Sequence, residues 1–355
     1  MSGYKQLFIY FFSGTGNARK VASWISDIAL SEKMQVQCID IGKTNRTHIQ
    51  TPPPDALIGF CSPTHGFNFP PVMMNFIFRF PKARRNKVFL INTRAGVKVF
   101  KLFIPGLSGV ALLLSALTLL LKGYRITGMR SVDLPSNWIS LHPGIQQKTI
   151  SEMFIKWEQI VTSFSKRILS GGKDFRALLS LPVDLIIGPV SFFYYIFGRF
   201  LFAKSFYASS VCNKCGLCIK QCPIKAISII DNRPFWSYRC ESCMHCMNSC
   251  PLNAIETAHG YIIGLLILLN TLAQSYIYLW FVNHNVQWFS ESVRYSFFYR
   301  FVFETALTFF ALIISYRMVH YLRKIPFIDF FIRYTSLTTY KFWGRYKPEK
   351  FNKNL

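Results

Sequence analysis

Charge is scarce in this 355-residue sequence, and acid is scarcer still. Charged residues make up 16% of it, with 16 Asp and Glu against 41 Lys and Arg; an ordinary soluble domain carries roughly one quarter. With 51% apolar residues, concentrated toward the C-terminus, the composition excludes a wholly soluble chain and indicates a membrane protein in part. A basic balance raises nucleic acid first, but no aromatic-interleaved basic stripe and no zinc-finger spacing is present, so nucleic acid is not an expected partner. Anionic membrane lipid and acidic protein surfaces suit the cations better, with Arg79–Lys87 and the stretch from Arg323 onward as the main local sources. A secretion signal is missing too, since Leu7–Phe12 is short and runs into Gly and Asn where a small-residue cleavage site would stand. Of ten cysteines, eight fall in two compact motifs; Cys38 and Cys61 remain as buried thiols in apolar runs. Disulfides are therefore not expected, and the compartment is reducing.

What is present begins with an apolar strand, Gln6–Phe12, running into Ser13-Gly14-Thr15-Gly16-Asn17-Ala18 and then a helical stretch from Ala18 to Ser31. A strand, a glycine and hydroxyl loop and a helix start make a phosphate site, because backbone N–H groups point inward and the helix terminus adds positive potential. That loop carries no Gly-Lys-[Ser/Thr], so it is not an ATPase loop, and Arg19 breaks the dinucleotide Gly-x-Gly-x-x-Gly pattern. Strands at 36–41, 56–61, 87–92 and 124–132 alternate with helices at 71–80, 105–122 and 149–169. This alternation predicts an α/β, doubly wound parallel sheet over residues 1–170, with ligands bound beyond the C-terminal strand ends. The apolar stretch Val110–Leu121 is short for a membrane span and reads as a helix covering that sheet.

Phe12–Asn17 resembles the phosphate loop of flavodoxins, Ser62–Pro70 the loop after their third strand, and Asn92–Gly96 the segment after their fourth. The resemblance implies FMN and the strand order 2-1-3-4-5. Its phosphate would lie on Ser13, Gly14, Thr15, Gly16, Asn17 and Ala18. The ring would lie between Thr64, His65, Gly66, Phe67, Asn68 and Phe69 and Asn92, Thr93, Arg94, Ala95 and Gly96. Ala18 stands where the family usually has Thr or Ser, so one hydroxyl donor is missing. Phe67 and Phe69 border the ring or pack under the loop; His65 bears on flavin protonation or is a solvent-facing structural residue. Arg94 stabilises charge on reduced flavin or plays an ordinary surface role.

The cysteines read Cys212-x-x-Cys215-x-x-Cys218-x-x-x-Cys222-Pro and Cys240-x-x-Cys243-x-x-Cys246-x-x-x-Cys250-Pro. This is the spacing of paired [4Fe–4S] sites in which each fourth cysteine serves the other cluster. One cluster would take Cys212, Cys215, Cys218 and Cys250, the other Cys240, Cys243, Cys246 and Cys222. Zinc is a poor fit to a triple-spaced run closed by Pro. Cys-Pro-Ile-Lys-Ala-Ile at 222–227 repeats as Cys-Pro-Leu-Asn-Ala-Ile at 250–255, which predicts a pseudo-twofold, bacterial-type ferredoxin fold over 205–258. The order of the two units resembles the fused flavodoxin–ferredoxin proteins of anaerobic bacteria and archaea, extended here by a C-terminal anchor.

Tyr261–Val282 is 22 residues without a charge, and Phe297–Tyr321 is interrupted only by Arg300, Glu304 and Arg317. Both are long enough to span a bilayer, and 259–322 is expected to hold two transmembrane helices. Glu304 is either a functional intramembrane carboxylate or the partner of Arg300 one turn earlier. Val183–Phe202, within a linker at 171–204, is also apolar. As a lone span it would separate the two redox units, so it is expected to lie in the interface or re-enter, the alternative being a paired hairpin with Val110–Leu121. The redox units then face the cytosol at the inner (cytoplasmic) membrane, as does a basic tail at 323–355.

The expected function is membrane-anchored electron transfer between FMN, two [4Fe–4S] clusters and a partner. The alternatives are an electron-transfer subunit of a larger membrane complex, or a self-contained quinone or small-molecule reductase. Expected partners are membrane lipid and a soluble acidic electron carrier or membrane redox protein; assembly as a homo-oligomer is compatible with the sequence.

Overall fold

Gln6–Phe11, apolar from Leu7 onward, forms β1 at the centre of a parallel sheet, flanked by β2 (Gln35–Asp40) and β3 (Leu57–Pro63). In this computed structural model residues 4–46, 49–99, 102–136, 138–273, 276, 279–280, 283–284 and 297–345 are described. Outward from β3 come β4 (Lys87–Val99) and then β6 (Arg125–Pro135), both parallel to it. The parallel path 2-1-3-4-6 is the flavodoxin-like order, with β5 (Leu102–Ile104) added as an antiparallel hairpin partner of β4.

That hairpin departs from the sequence expectation. Asn92–Gly96 is not a loop: β4 runs on to Val99, and these five residues pair with Ser131–Pro135 of β6. The physical cause is side-chain chemistry off the sheet axis. Arg94 Nε meets Asp133 Oδ1 at 2.6 Å, and Gly106 N donates to the same oxygen at 2.9 Å. This fastens the extended hairpin to β6.

Helices α1 (Asn17–Ser31) and α4 (Gln147–Leu169) cover one face, burying Val21, Trp24, Ile25, Trp157 and Phe164 against β1, β3 and β4. On the other face α2 (Pro71–Arg79) and α3 (Ala111–Leu121) bury Phe76, Ile77, Leu112 and Leu119. Ala111–Leu121 thus covers the sheet as expected, while Leu117, Leu120 and Leu121 remain exposed.

A continuous helical stretch runs over Arg176–Ala203, comprising α5 (Leu181–Phe193), a π-helical turn at Tyr194–Gly198 and α6 (Arg199–Ala203). It lies along the sheet domain. Asp184 Oδ1 accepts from Ser108 N (3.1 Å) and Gly109 N (2.8 Å), and Tyr195 OH donates to Phe69 O (2.8 Å).

The cysteine-rich segment folds as β7 (Phe206–Ala208), α7 (Leu217–Lys220), the hairpin β8 (Ile227–Ile230) and β9 (Arg233–Trp236), α8 (His245–Ser249) and β10 (Ile255–Thr257). β7 pairs antiparallel with β10 and so closes the unit. Asp231 and Asn232 both take positive φ, as a two-residue hairpin turn requires. The repeat seen in sequence is also a repeat of backbone shape. Lys214 and Ser242, Gly216 and Met244, and Lys225 and Asn253 hold equivalent places and all take positive φ. Ala226 N donates to Cys222 Sγ at 3.2 Å, and Ala254 N to Cys250 Sγ at 3.3 Å.

After β10 come α9 (His259–Ile267), continued to Ala273, then α10 (Phe297–Leu322) and α11 (Pro326–Tyr334). Arg176–Ala203 and Glu304–Leu322 are long and apolar enough to cross a membrane by length and composition. The latter half of the expected span Tyr261–Val282 lies largely outside the described residues. Residues 323–345, expected as a tail, instead pack back on the cysteine-rich unit. Arg323 is 2% exposed and paired with Asp329, and Arg345 meets Glu256 at 2.7 Å.

Candidate redox site

The two cysteine runs bring their thiols together across the repeat, not along it. Cys212, Cys215, Cys218 and Cys250 line one cavity, closed by Ile229, Pro234 and Ile255. Burial pushes the Cys218 thiol up to about 11, with the charges of Cys212, Cys250 and Cys215 adding to it. Cys240 is raised to about 12 by burial, and Cys222 adds to that; Cys243 and Cys246 are raised by burial and by the same two neighbours. Among the described residues no three His, Cys, Asp or Glu side chains converge closely enough to hold a single metal ion. A four-iron cubane takes its thiolates at its corners, at wider spacing, and its positive charge would bring the raised thiols to thiolate.

Lys204, absent from the sequence expectations, is 2% exposed, and its Nζ donates to Trp236 O at 2.5 Å. The rings of Tyr238, Tyr316 and Phe235 surround that ammonium at 4.0, 4.6 and 4.8 Å. Burial lowers the lysine to about 8, and the Cys240 charge opposes the shift. A fixed cation therefore sits beside the set containing Cys240, held by an aromatic cage.

The phosphate-type loop sits against this second set. Gly14 packs on Cys243 so closely that an added Cβ would come within 2.7 Å of the Cys243 Cβ. His245 Nδ1 lies 2.5 Å from Gly14 O, and its Nε2 lies 3.2 Å from Gln221 Oε1. His245 stands between Cys243 and Cys246, where a polar residue inside a cysteine run was the available signal.

Ser13, Thr15, Asn17 and Ala18 are all buried, and Gly16 N donates to Ser13 Oγ at 3.1 Å. His65 and Asn68 close a tight turn through His65 N to Asn68 O (2.8 Å) and Asn68 N to His65 O (3.2 Å). Phe69 packs under the loop in the core, whereas Phe67 is half-buried. His65 is 4% exposed and so not solvent-facing; its ring lies 5.5 Å from that of Trp138, and burial pushes it down to about 4. Thr64 N donates to Thr93 O, and Asn92 Nδ2 donates to Thr64 Oγ1 at 2.8 Å, which joins the second and third loop segments. Arg94 is committed to Asp133 and Ser108. Thr15 Oγ1, Ser62 Oγ, His65 Nδ1 and Asn92 Oδ1 are buried without hydrogen-bond partners, and these four atoms belong to the three segments that the sequence assigns to a flavin. Such orphaned groups cost stability unless a ligand or water meets them. Two hydroxyls, an imidazole nitrogen and the accepting amide oxygen of Asn92 therefore fit a ligand that both donates and accepts hydrogen bonds.

Residues 211–255 match the family model for the 4Fe-4S dicluster domain. No curated protein is similar enough to match the chain. Among solved structures, oxidised flavodoxin 1 from Bacillus cereus is 17% identical over 45% of this chain and 97% of that one, with a TM-score of 0.31. A flavodoxin from Streptococcus pneumonia TIGR4 is 14% identical over 44% and 94%, with a TM-score of 0.29. Rubredoxin oxygen:oxidoreductase from Desulfovibrio gigas is 13% identical over 46% of this chain and 37% of its own, with a TM-score of 0.28. The flavodoxin-like assignment rests on strand order.

Proposed function

We propose that this chain is a membrane-associated electron-transfer oxidoreductase holding FMN and two [4Fe–4S] clusters in one body. The observation that carries the reading is the contact between the phosphate-type loop and the second cysteine set, Gly14 against Cys243 and His245. FMN, when bound, interconverts one- and two-electron chemistry, which single-electron clusters cannot do alone.

The chain's own residues then have separable tasks. Ser13–Ala18 bind phosphate through backbone N–H groups and the N-terminus of α1. Thr64, Asn92 and their neighbours set the loop that receives the ring, and Thr15, Ser62 and Asn92 offer the free polar atoms. The crossed sets Cys212/215/218/250 and Cys240/243/246/222 ligate the clusters. His245 fixes the second cysteine loop on Gly14, and Lys204 places positive charge beside Cys240.

Membrane association is supported by α11, where Phe327, Phe330, Phe331 and Tyr334 form one exposed stripe at helical spacing. Such a stripe with Lys324, Arg333 and Lys341 nearby suits an interfacial helix on anionic lipid. Asp184 and Tyr195 hold the stretch Arg176–Ala203 to the body, which favours the interfacial reading of that segment over a crossing one. The orientation that follows has both redox units on the cytosolic face of the inner membrane.

The test is anaerobic reduction of purified protein with flavin and cluster absorbance followed together. Electrons supplied to the clusters should appear on the flavin within the same chain at a rate independent of protein concentration. A rate proportional to concentration would remove the single-body reading.

A further inference from the structure

Beside the second cysteine set lies a cavity of about 720 Å³ that none of the foregoing roles uses. Three parts of the fold wall it: the turn after β2 with α2, the segments Pro223–Lys225 and Tyr238–Glu241, and Arg199 of α6. Its charged lining is Lys43, Arg46, Arg79, Arg199, Lys225 and Arg239 against the single carboxylate of Glu241, a net +5 with Glu241 ionised. None of these six cations lies within ion-pair distance of a carboxylate among the described residues. Arg199 Nε and Glu241 Oε2 are buried with no hydrogen-bond partner. Six cations from distant parts of the sequence, gathered round one void, repel each other and destabilise the fold unless an anion offsets them.

We propose that this cavity binds a multiply charged phosphate group, carried by a small phosphate ester or by a lipid headgroup. Its size is that of a small-molecule site, not of a flat protein interface. Four of its six cations are arginines, whose planar forks match phosphate oxygens, and Tyr238 also lines it. Its position gives it a consequence. Pro223, in the wall, directly follows Cys222 and packs against Gly42 of the opposite wall. A polyanion held there raises the cost of adding an electron to the neighbouring cluster, and by reciprocity reduction of that cluster weakens the polyanion's binding. This second consequence rests on the electron-transfer reading above; the binding does not.

The experiment is titration calorimetry of the full chain, purified anaerobically in detergent, with inorganic pyrophosphate. In parallel, co-flotation would use phosphatidylcholine vesicles with and without phosphatidylglycerol. The proposal expects saturable one-site binding in at least one arm. It expects loss of about tenfold in affinity for each of Lys43→Ala and Arg79→Ala, both outside the cysteine-bearing segments in sequence. Lys166→Ala, an exposed cation on α4, should leave binding unchanged. Pyrophosphate binding identifies a free phosphate ester as the source, and cation-dependent flotation alone identifies a headgroup. Absence of binding in both arms, or equal affinity in Lys43→Ala, Arg79→Ala and Lys166→Ala, overturns it. Visible-region and iron measurements on the same samples show whether the variants kept their clusters. A sample that binds pyrophosphate but whose clusters accept no electrons refutes the electron-transfer reading and leaves the site standing.

Discussion

Asp184→Ala tests whether the helical stretch Arg176–Ala203 belongs to the globular body or to the bilayer. Asp184 is 5% exposed, with Oδ1 accepting from Ser108 N and Gly109 N and Oδ2 accepting from Ser180 Oγ at 2.7 Å. Truncation strands two buried amides, each at about 1–3 kcal/mol, so a net loss of about 3 kcal/mol is expected once some water enters. For a cooperative unit of this size that corresponds to a Tm lower by about 6–12 °C. Asp184→Asn keeps a carbonyl oxygen for the two amides and should lose less than half as much. The assay is a thermal scan in detergent, with limited proteolysis after Lys173 reporting release of the helix. Were the helix a bilayer crossing, Asp184 and Arg199 would be separated by about 22 Å of helix directed through hydrocarbon. Asp184→Ala would then leave the sheet domain's melting unchanged, and that result would refute the packing argument.

Three further outcomes follow from the site. Lys204→Met keeps side-chain length but removes the caged cation, and should lower the midpoint potential of one cluster by tens of millivolts while leaving the other fixed; redox titration followed by electron paramagnetic resonance reads it, and two unmoved potentials would count against the assignment. Gly14→Ala drives a methyl into Cys243, so flavin retention and the second cluster should both suffer, whereas Gly264→Ala, at an exposed position of α9 with open space around an added Cβ, should touch neither; flavin and iron assays decide. His65 is neutral in the fold with its pKa near 4, below the ordinary 6.5, so its contribution is complete above pH 6.5 and is lost as pH falls toward 4. The His65 share, about 2 kcal/mol lost between pH 7 and pH 5, is read as the difference between denaturant titrations of the native chain and of His65→Gln, since Glu241, raised by burial to about 7, acts in the opposite direction over the same range in both.

Much of this was legible locally. Buried strands such as Gln6–Phe11 announce themselves as apolar runs, and the doubled cysteine spacing marked the repeat whose backbone shape recurs at Lys225 and Asn253. The rest depended on partners distant in sequence. Asn92–Gly96 reads as a loop until Asp133, 39 residues beyond Arg94, is seen to fasten it as strand. Residues 323–345 read as a tail because Arg345's partner Glu256 lies across the fold. The side taken by Arg176–Ala203 is fixed largely through backbone groups of other segments, at Ser108, Gly109 and Phe69, which carry no residue-type signal. The cation-lined cavity is invisible in sequence, since Lys43 and Arg239 meet only after folding.

The central claim, one body holding a flavin and two clusters, is tested most directly by cofactor stoichiometry in anaerobically purified protein. The account predicts one FMN and eight iron atoms per chain, with Cys250→Ala degrading the cluster held by Cys212, Cys215 and Cys218 while the set containing Cys240 survives. Four iron atoms per chain, no flavin, or loss of the Cys240 set in that variant would contradict it.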